Sequence, residues 1–258
     1  MCAKANIDKW DKVWRRTKPS LTLQVYHKCV ADKIVGRVKY YTFERDKPIL
    51  LDVGCGEGQL DALLAEGTGF QVVALDIVDG PLQECRRLVQ EMGLQGKVNL
   101  VKASVYRLPF RDNTFDVAVS TGSESAATYP GAPEEVSRAV IGGGHMFFDF
   151  TRMPNLYQPL SSIKSYFRYL RARRGWKESR EMGNLHYGRL GLKERFVGRL
   201  GLKILKMWNM NTSSWPGGKR VRLLFERTLG RVLSMLLART VLVELRNKDK
   251  TPKQEGLA

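Results

Sequence analysis

Paired cysteines are missing from this sequence. Its four, Cys2, Cys29, Cys55 and Cys85, lie far apart with no C-x-x-C among them. That argues against a zinc ribbon, or any metal site, and against a disulfide framework, and it makes a reducing cytosol the default setting. A membrane-spanning run is missing too. The longest apolar stretch, VLSMLLARTVLVEL from Val232 to Leu245, is broken by Arg239 and Glu244 and falls short of the roughly 20 residues a bilayer needs. The opening segment MCAKANIDKWDKVWRR is charged and amphipathic, without the apolar centre of a secretory signal. Acidic residues are scarce in one part only. Residues 1–150 hold 19 basic and 19 acidic side chains, whereas 151–258 hold 24 basic and 7 acidic, so the whole net charge of +17 lies in the second part. A one-sided positive field attracts phosphates, whether of nucleic acid, of an anionic membrane surface or of a substrate; a basic face can also be simply solvated. With 43% apolar and 27% charged residues over 258 positions, the chain has a globular composition and can build one sizeable core.

What is present is an alternation of short apolar strands and longer helices. Helices are predicted near 7–16, 20–40, 59–66, 80–92 and 133–141, and strands at 48–54, 71–76, 98–103, 115–120 and 145–150, the last following a turn at Gly142-Gly143-Gly144. Such alternation predicts an α/β fold, a doubly wound parallel sheet with helices on both faces. Beyond Thr151 basic amphipathic helices are expected at 160–174, 190–199 and 221–237, and further strands at 202–208 and 240–246.

Chemistry concentrates in LLDVGCGEG, where Gly54, Gly56 and Gly58 follow a strand and precede a helix. Glycines in that place allow a tight turn and let a ligand approach the backbone at a helix N-terminus. A dinucleotide loop would read G-x-G-x-x-G, but its third position here is Gln59. The loop reads G-x-G-x-G instead, with Asp52 two residues before it. Asp76 closes the second strand in VVALDI, LPFRDNTFD (Leu108 to Asp116) precedes the fourth, and VIGGGHMFF (Val140 to Phe148) leads into the fifth.

On these four ordered motifs, spanning residues 49–150, the chain resembles the class I S-adenosylmethionine-dependent methyltransferases, the quinone-biosynthesis C-methyltransferases among them. The resemblance implies a seven-stranded, mostly parallel sheet of order 3-2-1-4-5-7-6 with the last strand antiparallel. It implies one methyltransferase domain over 1–258: an N-terminal helical cap (1–45), a cofactor-binding core (46–150), and a basic helical cover plus final strand pair (151–258). It further implies S-adenosylmethionine as cofactor, held by Asp52, Gly54, Cys55, Gly56, Gly58, Asp76, Ile77, Ser104, Val105 and Thr121. Asp76 suits the ribose hydroxyls, the helix after Gly58 the methionine carboxylate, and Asp52 the methionine amino group, though a purely structural buried carboxylate is the alternative there. Ser104 stands where the family often has Asp, a weaker acceptor for the adenine amino group that the backbone at Val105 would supplement.

The methyl acceptor is less legible. STGSES (Ser120 to Ser125) stands where base-amine methylating enzymes carry Asn/Asp-Pro-Pro-Tyr, and neither Cys55 nor Cys85 is placed as a nucleophile; both read as packing residues. Candidate general bases are Glu124 in the loop after the fourth strand, then His186 and Tyr187; His145, at the opposite end of the sheet, reads as structural. Trp10, Trp14 and Tyr26 would cap the cofactor pocket or serve as core anchors. The leading reading is methylation of a small-molecule or lipid-like acceptor at C or O, with the basic helices 163–177 and 219–239 suited to an anionic membrane surface. An RNA methyltransferase and a non-catalytic binding protein on the same fold are the alternatives.

Overall fold

A computed structural model describes residues 3–16, 21–122, 129, 131–151, 193–210 and 240–248. Along the chain run α1 (Ala3–Arg16), α2 (Leu21–Val38), β1 (Ile49–Val53), α3 (Gln59–Thr68), β2 (Gln71–Asp76), α4 (Asp79–Glu91), β3 (Val98–Lys102), β4 (Phe115–Ser120), α5 (Ala132–Ala139) and β5 (Val140–Thr151). A π-helical segment (Lys193–Arg199), β6 (Lys203–Met210) and β7 (Thr240–Arg246) follow. The expected helices at 160–174 and 221–237 lie outside the described residues, and that expected at 190–199 is described only as the π-helical segment.

The seven strands form one sheet of order β3-β2-β1-β4-β5-β7-β6. β1 pairs in parallel with β2 and β4, β2 with β3, and β4 with β5, whereas β7 runs antiparallel to both β5 and β6. Strand period sorts the apolar runs onto two cores. Leu50, Val72, Ala74, Val117, Val119 and Phe147 face one layer, which α2 and α3 cover with Val25, Cys29, Ile34, Leu60 and Leu64. Leu51, Val53, Leu75, Ala118, Met146 and Phe148 face the other, with Val136 and Ala139 of α5 and Phe196 against them. Phe147 and Phe148 have no exposed surface, and each such burial is worth roughly 1.5–3 kcal/mol.

The fifth strand departs from expectation. Gly142 to Gly144 do not turn the chain; they lie within β5, which starts at Val140 paired with Phe115. The register slips between Phe115 and Val117, and the buried Asn247 takes up the carbonyls this leaves. Its side-chain amide donates to Ser137 O and Val140 O, both at 2.9 Å, and its backbone N–H to Gly144 O at 2.8 Å. The LPFRDNTFD segment is tied to α5: Leu108 N donates to Glu135 at 2.9 Å, and Arg138 donates to Phe110 O at 2.9 Å and to Asp112 at 2.6 Å. His145 sits at the far end of the sheet, stacked on Tyr41 with ring centroids 3.7 Å apart and 3.3 Å from Glu244.

Candidate active site

The carboxyl ends of β2, β1, β4 and β5 lie side by side, and the strand order reverses between β1 and β4, the place where open α/β sheets bind ligands. Four acidic or polar positions mark this edge: Asp52 and the glycine loop after β1, Asp76 at the end of β2, Thr121 after β4, and Asp149 near the end of β5.

The loop is built from left-handed glycines. Gly54, Gly56 and Gly58 have φ of 81°, 56° and 79°, a region costly for side-chain-bearing residues. Its backbone is pinned to β2, with Gly54 N and Cys55 N both donating to Leu75 O, at 2.7 and 3.0 Å. A Cβ added at Gly54 or Gly56 would meet nothing within 4 Å, so the loop turns a bare, open backbone face to the crevice. Gly58 is the opposite case. It starts α3, is buried, and a Cβ there would lie 2.2 Å from Cys85 Sγ.

Asp76, at the carboxyl end of β2, braces the loop. One carboxylate oxygen accepts from Gly56 N and the other from Val78 N, each at 3.0 Å. Burial raises its pKa, against the backbone N–H groups that hold the charged form. Asp52 is almost wholly buried and lies against Asp61 of α3. Burial, then the Asp61 carboxyl, pushes Asp52 well above the usual carboxylate range, so the pair keeps a proton near neutrality. Cys55 turns its thiol inward, toward Cys85, so only its backbone faces the loop's open side. Ile77, Ser104, Val105 and Thr121 are half-buried along the same edge. Ser104 Oγ accepts from Tyr106 N at 3.3 Å, shaping the turn after β3.

The N-terminal helix reaches this edge. Trp14 Nε1 donates to Glu57 Oε1 of the loop at 3.2 Å, and its ring fills the space a side chain at Gly80 would need, 2.4 Å from that Cβ. Tyr26 donates to Asp149 Oδ2 at 2.5 Å, and Gly122 N donates to the same oxygen at 2.9 Å. Asp149 Oδ1 is buried and has no hydrogen-bond partner, and burial lifts the carboxyl to about 7 against those two donors. Sequence reasoning missed this residue because FFDF reads as an apolar strand. The signal was there: an acidic side chain inside a two-sided buried strand requires a reason. Glu124, His186 and Tyr187, proposed as bases from sequence, lie outside the described residues.

Whether these residues fit S-adenosylmethionine is tested by the open backbone at Gly54 and Gly56, the uncapped start of α3 at Gly58 and the Asp76 carboxylate one strand away. They fit: there is room for a ligand on the main chain, an N-terminus for a carboxylate, and an acceptor for a diol.

Fold and loop together resemble those of the class I methyltransferases, whose sheet has this same strand order. The comparisons place the chain more closely. Residues 51–148 match the family model described as a methyltransferase domain. The chain is 32% identical over 123 residues to a demethylmenaquinone methyltransferase of Bacillus cereus, covering 46% of this chain and 52% of that one. It is 31% identical over 124 residues to a ubiquinone/menaquinone biosynthesis C-methyltransferase of Pasteurella multocida, covering 46% of each. It thus spans about half the length of these relatives, and it resembles the quinone-biosynthesis methyltransferases. Among solved structures, geranyl diphosphate C-methyltransferase from Streptomyces coelicolor shares the fold with a TM-score of 0.55 at 14% identity, over 85% of this chain and 77% of that one. The cyclase SpnF does so equally, with 0.55 at 16% identity over 85% and 82%, so the fold alone does not name the reaction.

Proposed function

We propose that this protein binds S-adenosylmethionine and methylates a small-molecule or lipid-like acceptor at carbon or oxygen. The observation that carries the reading is the crevice edge itself, where an open glycine backbone and Asp76 stand at one side and a buried, half-bonded Asp149 at the other. Bound S-adenosylmethionine supplies a methyl group activated by its sulfonium. The chain's own residues supply position and charge. Asp76 accepts the ribose hydroxyls, the start of α3 receives the methionine carboxylate, and Trp14 on Glu57 shields the loop from water. We take Asp149 as the group that accepts the proton an acceptor hydroxyl or carbon must lose, its carboxylate fixed through Oδ2 by Tyr26 and Gly122 N. The relatives' acceptors, a quinone precursor and a prenyl diphosphate by their names, support a lipid-like substrate and give the RNA reading no support.

Transfer of label from S-[methyl-³H]adenosylmethionine into lipid, small-molecule or RNA extracts tests this. Label in the lipid or small-molecule fraction is expected; label confined to RNA reverses the acceptor assignment, and cofactor binding without transfer to any fraction makes the protein a binding module. We further propose that residues 151–258, with their excess of basic side chains, dock the enzyme on an anionic membrane, where a lipid-like acceptor resides. Among the described residues no helix is long and apolar enough to cross a membrane.

A further inference from the structure

Between the glycine loop and the helices α3 and α4, three metal-ligand side chains converge. Cys55 Sγ, Cys85 Sγ and an Asp61 carboxylate oxygen all lie within 4.8 Å of one another. All three residues are buried, Asp61 and Cys85 completely. Asp61 is the telling member. No hydrogen bond of ordinary geometry from another element reaches either of its oxygens; its own backbone N–H and the proton it shares with Asp52 are what hold it. Burial still outweighs these and lifts Asp61 to about 7, so the carboxyl is poorly compensated for the water it has lost. The thiols face each other across the same space, Cys85 being held against the backbone by the missing side chain of Gly58.

We infer that Cys55, Asp61 and Cys85 form a binding site for one thiophilic divalent cation of the zinc kind. Two sulfurs and one carboxylate oxygen match the ligand preferences of Zn²⁺ and of its probe Co²⁺, and disfavour Mg²⁺ and Ca²⁺, which take all-oxygen sets. A tetrahedral centre with ordinary zinc bond lengths holds its ligand atoms roughly 3.5–3.8 Å apart, so with all three atoms within 4.8 Å of one another a contraction of at most about 1.3 Å suffices. Asp52 then acts as the outer partner that orients Asp61. On binding, the thiols of Cys55 and Cys85 each lose a proton to solvent, and the two thiolates and the carboxylate offset the cation, so uptake weakens as pH falls. The site ties the loop after β1 to α3 and α4. Spacing could not reveal it, because its ligands come from three separate elements.

The inference is independent of the cofactor reading and is tested without cofactor. Purified full-length protein, reduced and free of metal, is titrated with Co²⁺ alone and then with Zn²⁺ in competition. One equivalent of Co²⁺ should bind and produce a thiolate-to-cobalt charge-transfer band, which Zn²⁺ abolishes. Cys85→Ala should remove the band, and Asp61→Asn should weaken binding at least about tenfold, the cost usual even for an outer-shell partner, while Cys29→Ala, in the core but away from the cluster, keeps both. Absence of the band in the wild-type protein overturns the inference, as does a band that survives in Cys85→Ala. Should Cys85→Ala fail to fold by circular dichroism, the wild-type spectrum and Asp61→Asn decide.

Discussion

Asp149 binds two donors through one oxygen and leaves the other bare, an arrangement that costs stability and is useful only if something comes to meet it. Its pKa near 7 fixes two opposite pH trends. The ordinary value is about 3.9, so the folded state holds a proton that the unfolded chain has lost; this contribution to stability is full below about pH 4 and disappears as pH rises through 7. Catalysis runs the other way, because only the ionised carboxylate accepts a proton. The rate of methyl transfer should rise through about pH 7, and Asp149→Asn should remove that limb and lower kcat by about 10²–10⁴ while leaving the affinity for S-adenosylhomocysteine unchanged. Asp76→Ala should show the converse. Losing a charged acceptor costs about 1.5–3 kcal/mol, and titration calorimetry with S-adenosylhomocysteine should show a Kd weakened at least tenfold, in a protein that still folds. An unchanged Kd would remove Asp76 from the site.

Among the elements, the loop Gly54–Gly58 is the one whose geometry is least replaceable. Gly58→Ala combines a left-handed φ with a Cβ driven into Cys85 Sγ, and should lower stability by more than the roughly 1–2 kcal/mol of the backbone strain alone. Adding Cys85→Gly should recover the steric part and leave the strain, a coupling that a double-mutant cycle in urea measures. This loop was legible in the sequence because glycine spacing states a backbone requirement directly. So were the strands β1 to β4, whose apolar runs are bounded by turns. The start of β5 was not, since Gly142-Gly143-Gly144 satisfies a bulge as well as it does a turn, and the deciding residue, Asn247, is remote. Asp61 and Asp149 escaped for a related reason. Each looks like an ordinary acid in its own segment, and only the packing of other elements against it strips away its water.

For the molecule as a whole, two halves of the sheet depend on contacts between distant parts of the chain. Arg37 of α2 donates to the buried Glu244 of β7 at 2.7 and 3.0 Å, and Tyr41 donates to the same carboxylate. Burial alone would raise Glu244, but the bonds from His145, Arg37 and Tyr41 outweigh it and hold the carboxyl at about 2. That stability is present above the ordinary carboxylate range and is lost as pH falls toward 2; Glu244→Gln should cost about 1–3 kcal/mol at neutral pH and flatten the acid limb of the unfolding curve. The charge asymmetry works at the same scale. Binding to anionic vesicles should weaken with salt, since each basic group near such a surface contributes about 1 kcal/mol within a Debye length of about 8 Å. Reversing charge at Arg168, Arg171, Arg173 and Arg174 should release the protein without altering cofactor affinity, and indifference to anionic vesicles at low salt would end the membrane reading. The position of β7 has a consequence for synthesis. It pairs on both flanks, with β5 and β6, yet it leaves the ribosome after both. Until it emerges, the nascent chain carries two open hydrogen-bonding rims, one bordered by Met146 and Phe148, and either can capture a neighbouring chain. A stop codon just before Thr240 would therefore spoil far more than one strand: it would freeze the protein in the state most prone to clump, and its soluble yield should collapse.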